Sequence, residues 1–122
     1  MENNNLNNDD RREKERVSIF ATLKYKGLTK QKSVEAGIVN NISERGIKFQ
    51  NTKFIPLGCL IGLSIYISPV HEPIKAVTRI VWIKKQAATE GYDVGSKFID
   101  MTDDDKVRIS DFLRAYLSAR TA

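Results

Sequence analysis

Cys59, Ile61, Leu63, Ile65 and Ile67 place an apolar side chain at every second position without a break, a period that only an extended strand turns to one face. A helix would scatter this set around its axis, so the stretch commits the chain to a sheet. The same period occurs earlier, where Val17, Ile19, Ala21, Leu23 and Tyr25 fall on one side and Ser18, Thr22 and Lys24 on the other.

Between these runs, Gly27 to Ser33 is polar and basic and reads as a loop. A second strand is expected from Val34 to Asn40. Asn41 to Gly46 has turn chemistry, and Ile47, Lys48 and Phe49 resume an extended run, so the two segments predict a hairpin. Pro69 and Pro73 bracket a turn into Ile74 to Ile83. Tyr92, Val94, Ser96 and Phe98 add a further strand, in which Gly95 permits a bend or a close backbone approach. Only the last segment changes period. Thr102 reads as an N-cap before Asp103, Asp104 and Asp105, and Ile109, Phe112, Leu113, Tyr116 and Leu117 recur at helical spacing, which predicts a helix over about 103–118. The whole predicts an all-β domain with a terminal helix: a six-stranded antiparallel β-barrel plus a C-terminal α-helix.

A chain of 122 residues, 41% hydrophobic and 29% charged, has material for one core. Residues 11–122 are expected to form it, and the Asn-rich residues 1–10 read as a flexible polar tail. The chain opens with no basic and then apolar leader, and no stretch approaches the roughly 18 apolar residues of a membrane helix. No membrane insertion is expected, and the cytoplasm is the expected location. Cys59 is the only cysteine, which excludes an internal disulfide or a CxxC site; among Leu60, Ile61 and Leu63 it reads as a small buried hydrophobe.

Catalysis finds little to work with. His71 is the only histidine and lies between Pro69 and Pro73, so it reads as a turn residue and leaves no histidine triad or multi-histidine metal site. The acids Asp103 to Asp105 suit a helix N-terminus and lack the spacing of a calcium loop. No Walker loop is present. The expectation is a protein that is not an enzyme and holds neither metal nor cofactor.

Charge points instead to an anionic ligand. The net charge is +5, yet Arg11 to Lys32 alone carries eight basic residues against Glu13 and Glu15, a local balance of +6. Within that stretch Arg12 and Arg16 stand in an RxxxR spacing just ahead of the first strand. Two guanidiniums there offer planar forks that bond phosphate bidentately and stack on a purine. Asn41, Ser43 and Gly46 form a second pattern, (D/N)xSxxG. Asn41 and Ser43 are short polar groups suited to a base edge, and Gly46 supplies backbone freedom and room for a ligand. Each pattern alone also fits a solvated charge run or a capped hairpin.

Together and in this order, with the alternating strand after Gly58, then Arg79-Ile80-Val81-Trp82, then Tyr92 to Phe98 leading into a helix, the chain resembles the PilZ domain family from about Arg11 to Leu117. The resemblance implies a six-stranded barrel whose N-terminal arginine segment folds over cyclic di-GMP on the barrel surface. Arg12 and Arg16 would clamp phosphate and stack on or bond guanine. Asn41 and Ser43 would hold a guanine edge and a nearby phosphate, and Gly46 would keep the turn open. Arg11 and Lys14 are auxiliary charges. Arg45 is a further auxiliary position, expected to face water. Arg11, just ahead of the first motif arginine, leans toward an intercalated ligand pair, and a ligand-dependent dimer stays open.

With no output domain attached, the expected role is a receptor or adaptor whose N-terminal segment changes conformation on binding and signals through a protein partner. Two alternatives remain: a PilZ-like protein-interaction adaptor that binds no nucleotide, and a small β-barrel that binds nucleic acid. The second is disfavoured because the basic stretch carries only Phe20 and Tyr25 as stacking aromatics.

Overall fold

The computed structural model describes residues 16–28, 34–67 and 72–121. Expectations for residues 1–10, Arg11, Arg12, Lys14, the loop residues 29–33, Pro69 and His71 lie outside them. Six strands form: β1 (Val17–Gly27), β2 (Glu35–Ile42), β3 (Gly46–Asn51), β4 (Leu60–Tyr66), β5 (Ile74–Lys85) and β6 (Tyr92–Asp100), followed by helix α1 (Asp103–Thr121). They close into an antiparallel barrel in the order β1-β2-β3-β6-β5-β4, with β4 paired back to β1. The expected six-stranded barrel with its terminal helix is the observed architecture.

The alternating residues fill the interior. Leu23 and Tyr25 from β1, Phe49 from β3, and Ile61, Leu63 and Ile65 from β4 are buried together, as in small barrels whose lumen is packed with side chains. The rings of Tyr25 and Phe49 meet at 5.9 Å between centroids. Burial holds the Tyr25 hydroxyl protonated above its ordinary range, opposed by a hydrogen bond with Asn51. Cys59 is only half-buried, at the edge of this core.

Helix α1 lies at the end of the barrel where β1 and β5 begin. Ile109 and Leu113 are buried against the core, and Phe112, Tyr116 and Leu117 pack partly on it. Thr102 caps the helix as expected, its Oγ1 accepting from the Asp105 amide at 3.1 Å. Asp105 in turn accepts from the Lys75 amide at 3.2 Å, and Arg108 bonds the backbone carbonyls of Glu72 and Pro73. Tyr116 donates to the Ser18 carbonyl at 3.0 Å. The helix therefore fixes the start of β1 as well as the start of β5.

Two of the barrel's four register shifts among the described residues set the surface beside the β2–β3 turn. On β2, Val39 pairs with Phe49 and Asn41 with the adjacent Lys48, so Asn40 is an extra residue, a β-bulge. On β5, Ile80 pairs with Ser96 and Trp82 with the adjacent Gly95, so Val81 is extra. Each bulge reverses the in-and-out alternation: Val39 and Ile42 are both buried with Asn40 and Asn41 outward, and Val81 and Trp82 are both outward after buried Ile80. Strand β2 also runs two residues beyond the expected Asn40, which moves Asn41 from the turn into the strand.

Among the described residues one buried side-chain polar atom lacks a partner. Thr78 on β5 is 0% exposed and its Oγ1 makes no hydrogen bond. Thr78→Val keeps the shape and removes an unpaired hydroxyl, and is expected to raise stability by about 1 kcal/mol, read as a higher denaturation midpoint. An unchanged or lower midpoint would show that the hydroxyl is satisfied.

Candidate functional site

The turn between β2 and β3 is built around Ser43. Its amide donates to the Gly46 carbonyl at 2.9 Å, and its Oγ accepts from the amides of Arg45 at 3.2 Å and Gly46 at 3.3 Å. These bonds fix a hydroxyl that is otherwise free to rotate, and Ser43 is 2% exposed. Asn41 reaches the same surface because the Asn40 bulge turns it outward.

Arg16 joins the two. Its Nε donates to Asn41 Oδ1 at 2.6 Å and its Nη1 to Ser43 Oγ at 3.1 Å. The pairing of Val17 with Ile42 and Ser18 with Asn41 delivers the arginine to this place, one residue ahead of β1. A guanidinium held at two of its donors is fixed in plane and position, which lowers the entropy lost on gripping an anion. Of the residues singled out by their spacing, Arg16, Asn41, Ser43 and Gly46 come together here. Arg11, Arg12 and Lys14 lie outside the described residues.

Gly46 serves differently from the expectation. It has no positive φ, and among the described residues only Gly58 has one, at 80°. A Cβ on Gly46 would instead sit 2.1 Å from the Ser96 carbonyl oxygen across the β3–β6 ladder. Its role is close approach of two strands rather than backbone freedom.

Beside the turn runs a surface groove of about 320 Å³. Arg16, Arg45, Lys48 and Lys97 line it, and among the described residues no carboxylate does. Arg45, expected to face water, is half-buried in its wall. Trp82 forms an apolar surface in the groove: its indole lies so close over Gly95 that a Cβ there would come within 2.3 Å of Nε1. The ring remains 37% exposed, with Lys48 Nζ 5.5 Å from its centroid.

Neither Lys48 nor Trp82 was expected from the sequence to be a ligand contact. The run Ile80-Val81-Trp82-Ile83 carried a signal, since four consecutive apolar residues violate strict alternation and mark a bulge. Cationic walls, an aromatic surface and fixed short polar groups suit a ligand with phosphates and planar bases. Among the described residues no group of three or more His, Cys, Asp or Glu side chains is placed to hold a metal ion, and no helix is long and apolar enough to cross a membrane.

The family model for the PilZ domain matches residues 10–115. No curated protein sequence matches the chain. Solved structures share the fold at low sequence identity. The inhibitor of motility of Bacillus subtilis (MotI/DgrA) aligns with TM-score 0.68 and 15% identity, over 84% of this chain and 49% of its own. Escherichia coli YcgR in complex with c-di-GMP aligns with TM-score 0.70 and 8% identity, over 87% of this chain and 46% of its own. The PilZ domain of YcgR with c-di-GMP aligns with TM-score 0.65 and 10% identity, over 87% of this chain and 92% of that domain. The chain thus spans about half the length of the first two proteins and nearly all of the separate domain.

Proposed function

The chain belongs to the PilZ domain family, and from that membership and the groove we propose that it is a cytoplasmic receptor for cyclic di-GMP. The observation that carries the reading is the Arg16 guanidinium, held by Asn41 and Ser43 at the mouth of a cationic groove with an exposed indole. Cyclic di-GMP presents two phosphates and two guanines, the two chemistries these groups accept. The neighbouring E. coli domain carries c-di-GMP on the same fold, which supports the choice of ligand.

In this reading Arg16 and Arg12 grip phosphate and cover a guanine. Asn41 and Ser43 meet a guanine edge and a nearby phosphate, while Gly46 lets the two strands close beneath them. Lys48 and Arg45 add charge along the groove, and Trp82 offers a face for stacking. Binding draws the N-terminal segment over the barrel, and the altered surface is read by a protein partner. The work done is recognition, with no bond made or broken.

Calorimetric titration with cyclic di-GMP tests this. Asn41→Ala is expected to weaken binding about tenfold, the loss of a hydrogen bond to charged or polar ligand groups. Trp82→Ala is expected to weaken it roughly five- to a hundredfold if a base stacks there, since such contacts contribute about 1–3 kcal/mol. No heat with the unaltered protein would overturn the ligand assignment. Binding that both substitutions leave unchanged would overturn the site.

A further inference from the structure

Strands β1, β4 and β5 lie side by side in the barrel and carry six basic residues with no Asp or Glu. The register sets four of them on one outer wall. Lys24 stands beside Ser64, and Ser64 beside Lys75; Lys26 stands beside Gly62; and Arg79 stands beside Leu60. All four side chains are exposed, and none is paired with a carboxylate among the described residues. Small residues at Gly62 and Ser64 leave the middle of the wall shallow, so the charges stand above it.

The end of this wall farthest from α1 is apolar. Leu28 is 52% exposed and bonds through its amide to the Leu60 carbonyl at 3.3 Å, while its side chain lies over Gly62. Leu57 is 63% exposed, and the next residue, Gly58, accepts from Arg79 Nη1 at 3.2 Å. Two exposed leucines therefore sit at one edge with Lys26 and Arg79 beside them. Helix α1, with its acids Asp103 to Asp105, is at the opposite end.

We propose that the β1–β4–β5 wall docks on an anionic lipid surface, with Leu28 and Leu57 entering the headgroup layer and Lys24, Lys26, Lys75 and Arg79 facing the lipid phosphates. Charge of one sign with aliphatic side chains at its margin is the chemistry of interfacial binding. A nucleic-acid backbone would meet the charges but gain nothing from the leucines. Tyr66, the aromatic ring that stands among these charges, already has Lys24 Nζ 5.7 Å from its centroid rather than a free face for a base. In the ring of six strands β4 stands opposite β3, so docking through β4 points the groove at Lys48 away from the lipid and leaves it open.

Sedimentation of the full chain with phosphatidylcholine vesicles, with and without phosphatidylglycerol, tests the proposal. Binding is expected only to the anionic vesicles and is expected to fall as salt rises. Lys24→Gln with Lys26→Gln should weaken it roughly thirtyfold, about fivefold per charge. Leu28→Ser with Leu57→Ser should weaken binding while preserving its salt dependence. A thermal melt of each variant serves as the folding control and keeps this test separate from that of the ligand groove. No sedimentation with anionic vesicles, equal binding to neutral ones, indifference to the leucine substitutions, or capture of duplex DNA in preference to vesicles would each overturn the assignment.

Discussion

Alanine at position 16 is expected to weaken cyclic di-GMP binding roughly ten- to a hundredfold while leaving the barrel folded, as calorimetry and a thermal melt would measure. The loss follows from removing charge-assisted contacts, which contribute about 1.5–3 kcal/mol. The fold should survive because Ser43 keeps its bonds from the Arg45 and Gly46 amides after the arginine is gone. Lysine at position 16 should not restore affinity. An ammonium is a point charge, and it cannot span Asn41 Oδ1 and Ser43 Oγ with a planar fork while also presenting itself to a ligand. Hydrogen exchange supplies an independent reading of the closure step: amides of Met1 to Arg16 should slow on ligand binding in the unaltered protein and remain fast in the alanine variant. Affinity that stays the same in the alanine variant would remove Arg16 from the site. Unchanged exchange with ligand bound would remove the closure.

The second large effect concerns Gly46. Gly46→Ala is expected to destabilise the protein by about 3 kcal/mol, at the upper end of the usual cost of overpacking. The obstruction is backbone on both counts: the Ser96 carbonyl oxygen at 2.1 Å and the Lys97 Cα at 3.2 Å from the new Cβ. No side chain can swing aside, so β3 and β6 must move apart along a ladder that is otherwise regular from Gly46–Lys97 to Asn51–Tyr92. Gly58→Ala supplies the contrast. There the backbone is left-handed with φ at 80° and nothing lies within 4 Å of the added carbon, so the cost is conformational alone, about 1–2 kcal/mol. Denaturant unfolding of the two variants separates the mechanisms. A smaller loss at position 46 than at position 58 would mean that the strands yield easily.

How far the sequence discloses this molecule differs from part to part. The inward residues of β1 and β4 were legible because every one of them meets the same demand, burial at period two. The helix was legible because Thr102 and the aspartates announce its start and Ile109, Phe112, Leu113, Tyr116 and Leu117 mark its buried face. The bulges at Asn40 and Val81 were not, since an extra residue is defined only against the partner strand. For the same reason Asn41 was assigned to a turn although it pairs within β2. Arg16 was legible from its spacing to Arg12. Lys48 and Lys97 were not, because an outward lysine on a strand looks the same whether it faces bulk water or a groove. Trp82 was hidden among apolar neighbours, where an indole reads as core until the register shows it outside.

The two bulges carry a consequence for how this surface is encoded. Asn41 and Trp82 are outside because β2 holds one residue more than β3 between Val39 and Asn41, and β5 one more than β6 between Ile80 and Trp82. Deleting Asn40 would keep Asn41 outward between buried Val39 and Ile42, yet it would take one residue from β2 where that strand also runs beside β1, and so shift Asn41 against Ser18 and the Arg16 that precedes β1. The groove is thus written in chain length as much as in residue identity, and a comparison that scores only which residues are present would not detect its loss.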